Sequence, residues 1–500
     1  MRKLITALIF AGAVCVTSNP YLPETPSCAA ETLFEAVSIW DGSIDTSWYS
    51  ADQAELHINT AAQLAGIGEL LENGTSMLGQ TIILDADLVL NDISAYDKWA
   101  STPPANEWEE IGNPIRFPFE GTFDGGGHTI TGMYGNGIFG GISENSCIRN
   151  LHLDYAFLDV RSSGYNGGIV MCCKGGTIMG CSVEGTSSRK WAFSNTDYTG
   201  GICGLLQGGS ITDCRVSGEM NFTSTSASDV FAHAYIGGIC GRSESGIIRR
   251  CGSEMAISYT GSYYMKIGGI CGEVVLDGAV IEDCFCRADI IAQNAREDGC
   301  GAGGIAGLVN YGVTLKNCYP IGAVDARTRT GYLGGIVGHY GGDQISNTYH
   351  VGMVRSQSHE GGLVGTCWEE DVLEHCYYLA EDAERGVGET RVSDKGTAES
   401  MEYLQSEEFA AVLGESFVYN EGSYPLLAWE LGGSEMLMGD VNEDGTLSVL
   451  DVILLQKVLL GREKLTETGG KLADLAADSA VDGFDLAVLK RRLLDPDMVK

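Results

Sequence analysis

A short pattern of glycine and apolar residues recurs along most of the chain. A Gly-Gly pair followed at once by Ile or Leu returns at intervals of 27 to 37 residues. The first glycines of these pairs are Gly167, Gly200, Gly237, Gly268, Gly303, Gly334 and Gly361. A repeated period of this length is the sequence signature of a repeat protein, in which stacked units share one core.

A second pattern follows most of these pairs, in which an apolar residue stands three positions before a cysteine. The cysteines at this place include Cys214, Cys251, Cys284 and Cys318. Each unit therefore holds short runs rich in Ile, Val, Cys and Tyr, which are separated by Gly, Ser, Asn and Asp and are typical of strands and turns. The fold class that we predict is mainly β, with a β-solenoid, most specifically a right-handed parallel β-helix, over residues 135–398.

The cysteines themselves fit this architecture. The chain has 17 of them, and most recur at one place in the repeat. We interpret them as an inward column of small apolar side chains, one per turn of the solenoid. Disulfides between adjacent turns stay open, and no Cys-x-x-Cys/His set indicates a metal site.

The segments outside the repeats predict caps and a separate small domain. Residues 31–134, with a helical pattern at 59–71 followed by strand patterns, are expected to form an N-terminal cap and the first turns. Residues 399–430 are expected to form a C-terminal cap. A Gly-rich linker at 431–436 then leads to an all-α domain at 437–500.

The last domain contains a loop with the ligand spacing of a calcium site. Oxygen-bearing side chains occupy positions one, three, five, nine and twelve of a 12-residue stretch, with Gly445 at the sharp turn and a backbone carbonyl expected at position seven. Ca²⁺ takes six to eight oxygen ligands, which this spacing wraps around the ion. The expected ligands are Asp440, Asn442, Asp444, Thr446, Ser448 and Asp451.

A second, shortened loop lies further along. It spans only eight residues, and its candidate ligands are Asp478, Asp482 and Asp485. Whether so short a loop holds calcium, or is held by packing alone, stays open. An amphipathic helix is expected after each loop, at 452–460 and at 486–494.

These features resemble two known families. The run from Gly121 to Ile130 and the Gly-Gly-Ile turns look like the GLUG repeats of bacterial surface proteins, over roughly residues 45–430. The duplicated loop and helix, with no helix before the first loop and Asp451 where an EF-hand has Glu, closely resemble a dockerin domain.

The resemblance to dockerins implies a cofactor, a partner and an interface. Ca²⁺ is the implied cofactor, and the cohesin domain of a scaffold protein in a cellulosome is the implied partner. The implied cohesin-binding residues are Val449, Leu450, Gln456, Lys457, Gly483, Phe484, Lys490 and Arg491. An apolar pair beside basic side chains suits such an interface.

The net charge limits the expected partners, and the N-terminal sequence indicates the compartment. The net charge of −36 repels phosphate backbones and anionic lipid, so neither nucleic acid nor membrane is an expected partner. Residues 1–30 begin with Arg2 and Lys3, continue with an apolar run and end in small residues, which is typical of a secretory signal peptide. We expect a secreted, extracellular protein that is held at the cell surface through a scaffold.

The function of the solenoid is left open among three readings. The favoured one is a non-catalytic module that binds plant cell-wall polysaccharide, with Tyr263, Tyr264 and Trp191 as stacking platforms. The second is a polysaccharide lyase or glycosidase with unknown catalytic residues, for which Lys266 and Arg287 are available bases that nothing singles out. The third is a spacer or scaffold. The GLUG family includes metallopeptidases, but no His-Glu-x-x-His occurs in this sequence.

Overall fold

The structure is a computed structural model of the 500-residue chain. It describes residues 38–158, 164–191, 196–224, 233–261, 264–294, 300–326, 331–356, 359–367, 372–390, 396–431, 439, 441, 449–465, 470, 472–473, 475 and 481–494. The expected signal peptide at 1–30 lies outside the described residues.

Four parallel sheets make up the body of the protein, and the chain passes through them in turn. The first sheet has 12 strands: Glu55–Ile58, Thr81–Leu84, Thr122–Asp124, Cys147–Arg149, Thr177–Met179, Ser210–Thr212, Ile247–Arg249, Val280–Glu282, Thr314–Lys316, Gln344–His350, Leu373–Leu379 and Thr397–Glu399. The second has nine: Phe139–Ile142, Val170–Lys174, Cys203–Gln207, Cys240–Glu244, Cys271–Val275, Ala306–Val309, Val337–Tyr340, Val364–Cys367 and Val387–Thr390.

The third and fourth sheets complete each turn. The third has seven strands: Tyr165–Gly167, Asp197–Gly200, His233–Gly237, Tyr264–Gly268, Cys300–Gly303, Gly331–Gly334 and His359–Gly361. The fourth has 12: Leu88–Val89, Thr129–Thr131, Tyr134–Gly135, His152–Leu158, Ser182–Trp191, Arg215–Ser224, Gly252–Gly261, Phe285–Cys286, Ile290–Asn294, Tyr319–Pro320, Val324–Asp325 and Val354–Arg355. The predicted parallel β-solenoid is confirmed, while its right-handed sense stays a prediction.

The repeated Gly-Gly pairs set the register of the solenoid. Each first glycine is the exact strand partner of the first glycine one turn away, from Gly167 through to Gly361. The second glycine has no room for a side chain, because a Cβ on Gly269 would collide with the Gly304 carbonyl oxygen and the Cys286 sulfur. These pairs therefore mark where the backbones of successive turns come closest.

The bend that precedes the recurring cysteine is explained by its backbone conformation. The residue before the recurring cysteine has a positive φ in successive turns, for example 55° at Asp213, 52° at Asp283 and 51° at Asn317. Asn and Asp enter this left-handed region more readily than most residues. The residue before the cysteine, which is Asp or Asn in these three turns and Arg250 before Cys251, therefore marks the bend between the first and fourth sheets.

The inward side chains form one continuous apolar core. The cysteines occupy two columns in it rather than one. Cys203, Cys240 and Cys271 are direct strand partners in the second sheet, and the column from Cys181 to Cys318 follows the first sheet. Their side chains are 0–1% exposed, and burial raises the pKa of the Cys214 and Cys284 thiols. They pack as small apolar groups, as the sequence indicated.

Helices lie before and after the repeats. Helix α1, Ala61–Glu72, begins after Thr60, whose hydroxyl accepts a hydrogen bond from the Gln63 N–H. Leu64 and Ile67 on α1 are fully buried in the core. A 3₁₀ helix, Ile93–Lys98, follows the strand Leu88–Val89.

After the repeats, the chain packs on the flank of the solenoid. Helices α2, Met401–Leu404, and α3, Glu407–Leu413, are followed by the antiparallel pair Phe417–Val418 and Leu426–Leu427 and by the 3₁₀ helix Ala428–Leu431. They cover a column of outward aromatic side chains from successive turns, which includes Phe285, Tyr319 and Tyr349. The ring centroids of Tyr319 and Tyr349 are 5.2 Å apart. That residues 399–430 cap the end of the solenoid stays a prediction.

The C-terminal region contributes helices α4, Val449–Leu459, and α5, Gly483–Leu494. Each begins three residues earlier than predicted. The two helices pack together around Leu455 and Leu489, which are fully buried. No helix in the described part of the chain is long and apolar enough to cross a membrane.

We predict that Gly269→Ala destabilises the protein by about 1–3 kcal/mol, because a methyl group must be forced between two turns. Gly68→Ala in α1 is the control. A Cβ there meets nothing closer than Ile111 Cα at 4.0 Å, so the better helix propensity of alanine should stabilise by up to about 1 kcal/mol. Urea unfolding of both variants measures the free energies, and equal effects would contradict the close approach at Gly269.

Buried His350 gives the second prediction. Its side chain is enclosed, Nε2 lies 3.3 Å from the Gly322 carbonyl oxygen, and burial lowers its pKa from 6.5 to about 4. In the unfolded chain His350 is therefore protonated below about pH 6.5, whereas in the folded protein it is protonated only below about pH 4. Stability falls as pH drops through this window, by about 3 kcal/mol for this group.

His350→Leu should remove that part of the acid sensitivity. The measurement is the free energy of unfolding in urea at about pH 7 and about pH 4.5 for both proteins. We expect the free energy of unfolding to fall clearly less between these two pH values in the variant than in the wild type. The same drop in both would show that His350 is protonated in the folded protein.

Candidate functional site

The first candidate site is the pair of helices in the C-terminal region. Asp451 is the third residue of α4, and Asp485 is the third residue of α5, and both side chains are fully buried. Leu455 and Leu489, four residues later, are both fully buried as well. Helices α4 and α5 therefore share the same pattern of a buried aspartate and a buried leucine four residues later.

The predicted calcium ligands are only partly described. Asp440, Asn442, Asp444, Thr446, Ser448 and Asp478 lie outside the described residues. Asp451 closes the first loop from the first turn of α4, and a buried carboxylate there suits a cation held by the loop. Among the described residues, no group of three or more His, Cys, Asp or Glu side chains is arranged to hold a metal. Calcium binding in this loop stays a prediction.

In the second loop, the described carboxylates serve the backbone. Asp482 Oδ1 accepts a hydrogen bond from the Phe484 N–H at 2.7 Å. Asp485 Oδ2 accepts one from the Asp482 N–H at 2.8 Å. This reciprocal pair is a capping box, which satisfies N–H groups at the start of α5. The cap gives the two aspartates a structural role whether or not an ion binds, and the second calcium site stays a prediction.

The predicted cohesin-binding residues that are described lie on the surface. Phe484 is 75% exposed although it is large and apolar. Arg491 lies seven residues further along α5, so both project from the same side of the helix, with Lys490 beside them. On α4, Lys457 is exposed and Gln456 is half-buried. Gly483 is exposed, and the side chains of Val449 and Leu450 lie outside the described part.

The second candidate site, which we name the corner, lies where the third and second sheets meet on the outside of the solenoid. Its column on the third sheet is in register from turn to turn: Tyr165, Tyr198, Tyr235, Lys266, Gly301, Tyr332 and His359. Its column on the second sheet is likewise in register: Cys172, Leu205, Arg242, Glu273, Leu308, His339 and Thr366.

Arg242 joins the two columns of the corner. Its guanidinium carbon lies 5.7 Å from the ring centre of Tyr198 and 5.6 Å from that of Tyr235. Nη1 donates to the Tyr198 hydroxyl at 3.3 Å. Nε lies 3.1 Å from Glu273 Oε2 and 3.2 Å from Glu244 Oε1. One arginine therefore binds two carboxylates and two aromatic rings at the same time.

Burial shifts the pKa values of several groups in the corner. Desolvation raises the pKa of Glu273, although Arg242 and Lys266 oppose that shift. Desolvation lowers the pKa of Lys266. It also lowers the pKa of His339 to about 4, with Lys266 adding to the effect. Several perturbed groups that lie close together indicate a functional site.

The tyrosines of the corner stack on one another. The ring centroids of Tyr165 and Tyr198 are 5.4 Å apart, and those of Tyr198 and Tyr235 are 5.2 Å apart with planes only 8° from parallel. Their faces are therefore largely occupied, and edges and hydroxyl groups are presented to a ligand. Tyr264, predicted as a stacking platform, has His233 stacked on it at 5.2 Å. Tyr263 and the side chain of Trp191 lie outside the described part.

The structure separates the two basic residues that the sequence offered as lyase bases. Arg287 Nη2 donates to the Tyr319 hydroxyl at 2.7 Å and also binds the Glu430 carboxylate, and its guanidinium lies 4.1 Å from the ring centre of Phe285. It fastens the segment after the repeats to the solenoid. Lys266 alone belongs to the corner.

Sequence reasoning missed Arg242, Glu273, His339 and the tyrosine column. The sequence signal for both columns is a fixed distance from the Gly-Gly pairs. The third-sheet column stands two residues before the first glycine of each Gly-Gly pair, and the second-sheet column stands five residues after it. Aligning the repeats on their glycines would have found both columns.

Comparisons with known families agree with these two parts of the chain. Residues 438–494 match the dockerin type I domain, and residues 195–223 match the GLUG motif. The chain thus carries a dockerin type I domain after a β-solenoid with GLUG repeats. None of the curated proteins matches this chain.

A solved structure, the crystal structure of a putative immunoglobulin A1 protease from Bacteroides ovatus, shares 18% sequence identity with a TM-score of 0.41. The match covers 75% of this chain and 92% of that one. A likeness at this level carries no information about the activity of either chain.

Proposed function

We propose that this protein is a secreted component of a cellulosome-type assembly that docks through its dockerin domain onto a cohesin of a scaffold protein. In that position it presents the solenoid to plant cell-wall polysaccharide and binds the polysaccharide without cleaving it. The observation that carries the docking proposal is the match of residues 438–494 to the dockerin type I domain, since such a domain implies a cohesin partner. Secretion rests on the sequence pattern of residues 1–30.

The geometry of the C-terminal region supports this docking. An exposed Phe484 beside Lys490 and Arg491 is an apolar anchor within a basic patch, which is a common composition of an interface hot spot. In a chain of net charge −36 such a patch also steers the orientation of binding. Calcium, when bound by the first loop, would hold the start of α4 and so fix the angle between loop and helix. Asp451 is the described residue that would contribute to it.

The corner supports polysaccharide binding. Sugar hydroxyls need hydrogen-bonding partners and flat apolar surface, and tyrosines or charged groups line the corner in most of its turns. Adjacent turns of a parallel sheet are about 4.8 Å apart, so the corner offers a regular row of contacts to a regular polymer. Lyase or glycosidase activity is the second candidate, because Lys266, Glu273 and His339 have perturbed pKa values.

Docking is tested with the full-length protein and immobilised type I cohesin domains. The double variant Asp440→Ala, Asp451→Ala should lose binding, and excess chelator should abolish binding of the wild-type protein, because the loop needs its cation. Asp52→Ala, at an exposed site in the N-terminal region, is the control and should bind normally. Binding that survives both the double variant and the chelator would overturn calcium-dependent docking.

Phe484→Ala tests the interface without touching the loop. Because Phe484 is 75% exposed, its loss should not affect folding, whereas losing an anchor should weaken cohesin binding about tenfold or more, that is about 1.4 kcal/mol. Titration calorimetry gives the affinity. An unchanged affinity would show that Phe484 is not an anchor of the interface.

Polysaccharide binding is tested with the full-length protein on a panel of plant cell-wall polymers. We expect retention on at least one polymer, with no new reducing ends and no unsaturated product in ultraviolet absorbance. Release of product would replace binding by catalysis as the role of the solenoid. Neither retention nor release on any polymer would leave docking as the only supported part of the proposal.

A further inference from the structure

The third-sheet column of the corner is interrupted at its centre. Tyrosines occupy it at Tyr198 and Tyr235, Lys266 and Gly301 follow, and Tyr332 resumes the aromatic series. The residues that alternate with this column, such as Ile236 and Ile267, are fully buried in the core, so the column itself faces outward. The interruption leaves a notch between Tyr235 and Tyr332.

The side chain of Lys266 uses the space that Gly301 leaves. A Cβ on Gly301 would lie 3.1 Å from Lys266 Cδ and 3.2 Å from Lys266 Nζ. The lysine therefore extends over the next turn, and its ammonium group lies in the notch. A side chain at residue 301 would displace it.

The charges around the notch leave this ammonium uncompensated at close range. Arg242 already binds both Glu273 and Glu244. His339 and His233 have lowered pKa values, and burial raises the pKa of the Cys300 thiol to about 12, so all three groups are uncharged at neutral pH. Within the described part of the chain, the structure gives Lys266 no hydrogen bond and no ion pair, and its charge interacts electrostatically with Cys300 and Glu273.

A half-buried lysine side chain without an ion pair suits an incoming anion, because burying a charge without a partner is costly. The surroundings favour an anion attached to a sugar. Tyrosines border the notch on both sides, and Tyr235 and Tyr332 stand three turns apart, about 14 Å, which leaves room for a short stretch of polysaccharide. His339, whose ring centroid lies 5.6 Å from that of Tyr332, borders the notch from the second sheet.

We propose that this notch, formed by Lys266, Gly301, Tyr235, Tyr332 and His339, binds the carboxylate of a uronic acid residue in an acidic polysaccharide. This names the ligand class of the solenoid and rests on the polysaccharide binding proposed above. Lys266 is the residue that selects an acidic over a neutral sugar, and the tyrosines hold the neighbouring sugar residues.

The test compares one polymer with its carboxyl groups ionised and the same polymer with them methyl-esterified. Full-length protein is run in native gels that contain polygalacturonate, or the same polymer with its carboxyl groups methyl-esterified, at about 0.15 M salt so that long-range repulsion between two acidic molecules is screened. The wild type should be retarded at least about tenfold more strongly by the free acid. That preference corresponds to about 1.4 kcal/mol.

The variant Lys266→Gln should lose the preference for the acidic polymer while keeping the wild-type thermal unfolding temperature. Lys174→Gln is the control, since it removes the same charge from an exposed site on the second sheet, and it should keep the preference. Galacturonate should compete with polygalacturonate, and acetate at the same concentration should not.

Each other outcome has a distinct meaning. Equal retardation by both polymers, or a preference that survives Lys266→Gln, overturns the notch but leaves polysaccharide binding standing. Competition by acetate as effective as by galacturonate overturns the sugar assignment, because the notch would then take any small carboxylate. No retardation by either polymer, together with no retention on the wider panel, overturns the proposed binding and the notch together.

Discussion

The close stacking of successive turns is the constraint on which the rest of this structure depends. Backbone hydrogen bonds between successive turns hold each turn against the next, for example from the Gly238 N–H to the Gly268 carbonyl at 3.2 Å and from the Ile239 N–H to the Ile270 carbonyl at 3.0 Å. The Gly-Gly pairs allow this approach, because a side chain at the second glycine would collide with the turn beyond. Once the register is fixed there, every other position of the repeat recurs directly above its equivalent, both inside and outside.

The sequence predicted the features that this constraint imposes on every turn. The glycine period indicated a solenoid, and the recurring Cys position indicated an inward column, because both patterns repeat in residue type. The corner was not predicted, because its columns repeat in position and vary in chemistry. Lys266 acquires its surroundings from Gly301, which is 35 residues further along, and no local motif connects the two.

The two ends of the repeats show the same difference. The helix at 59–71 could be predicted from apolar spacing and a capping residue, and α1 begins after Thr60 as such a pattern requires. The flank formed by α2, α3 and the strands after them could not, since Phe285, Tyr319 and Tyr349 look like core residues in the sequence. Only the strand register shows that these rings point away from the solenoid core and are covered by residues 400–431. In the C-terminal region, the repeated loop and helix could be predicted from the sequence. The capping role of Asp482 and Asp485 could not, because it depends on their hydrogen bonds in the folded chain.

Fixed offsets from the glycine pairs make each turn of the solenoid an exchangeable unit. A duplicated turn would add one member to each column of the corner and one layer to the core, and it could stack on its neighbours through the same backbone hydrogen bonds. The length of the outer surface could therefore grow or shrink by whole turns during evolution. Single substitutions two residues before a glycine pair could change the ligand that the surface binds. The dockerin domain would be untouched by either change, so one attachment device can serve a series of surfaces.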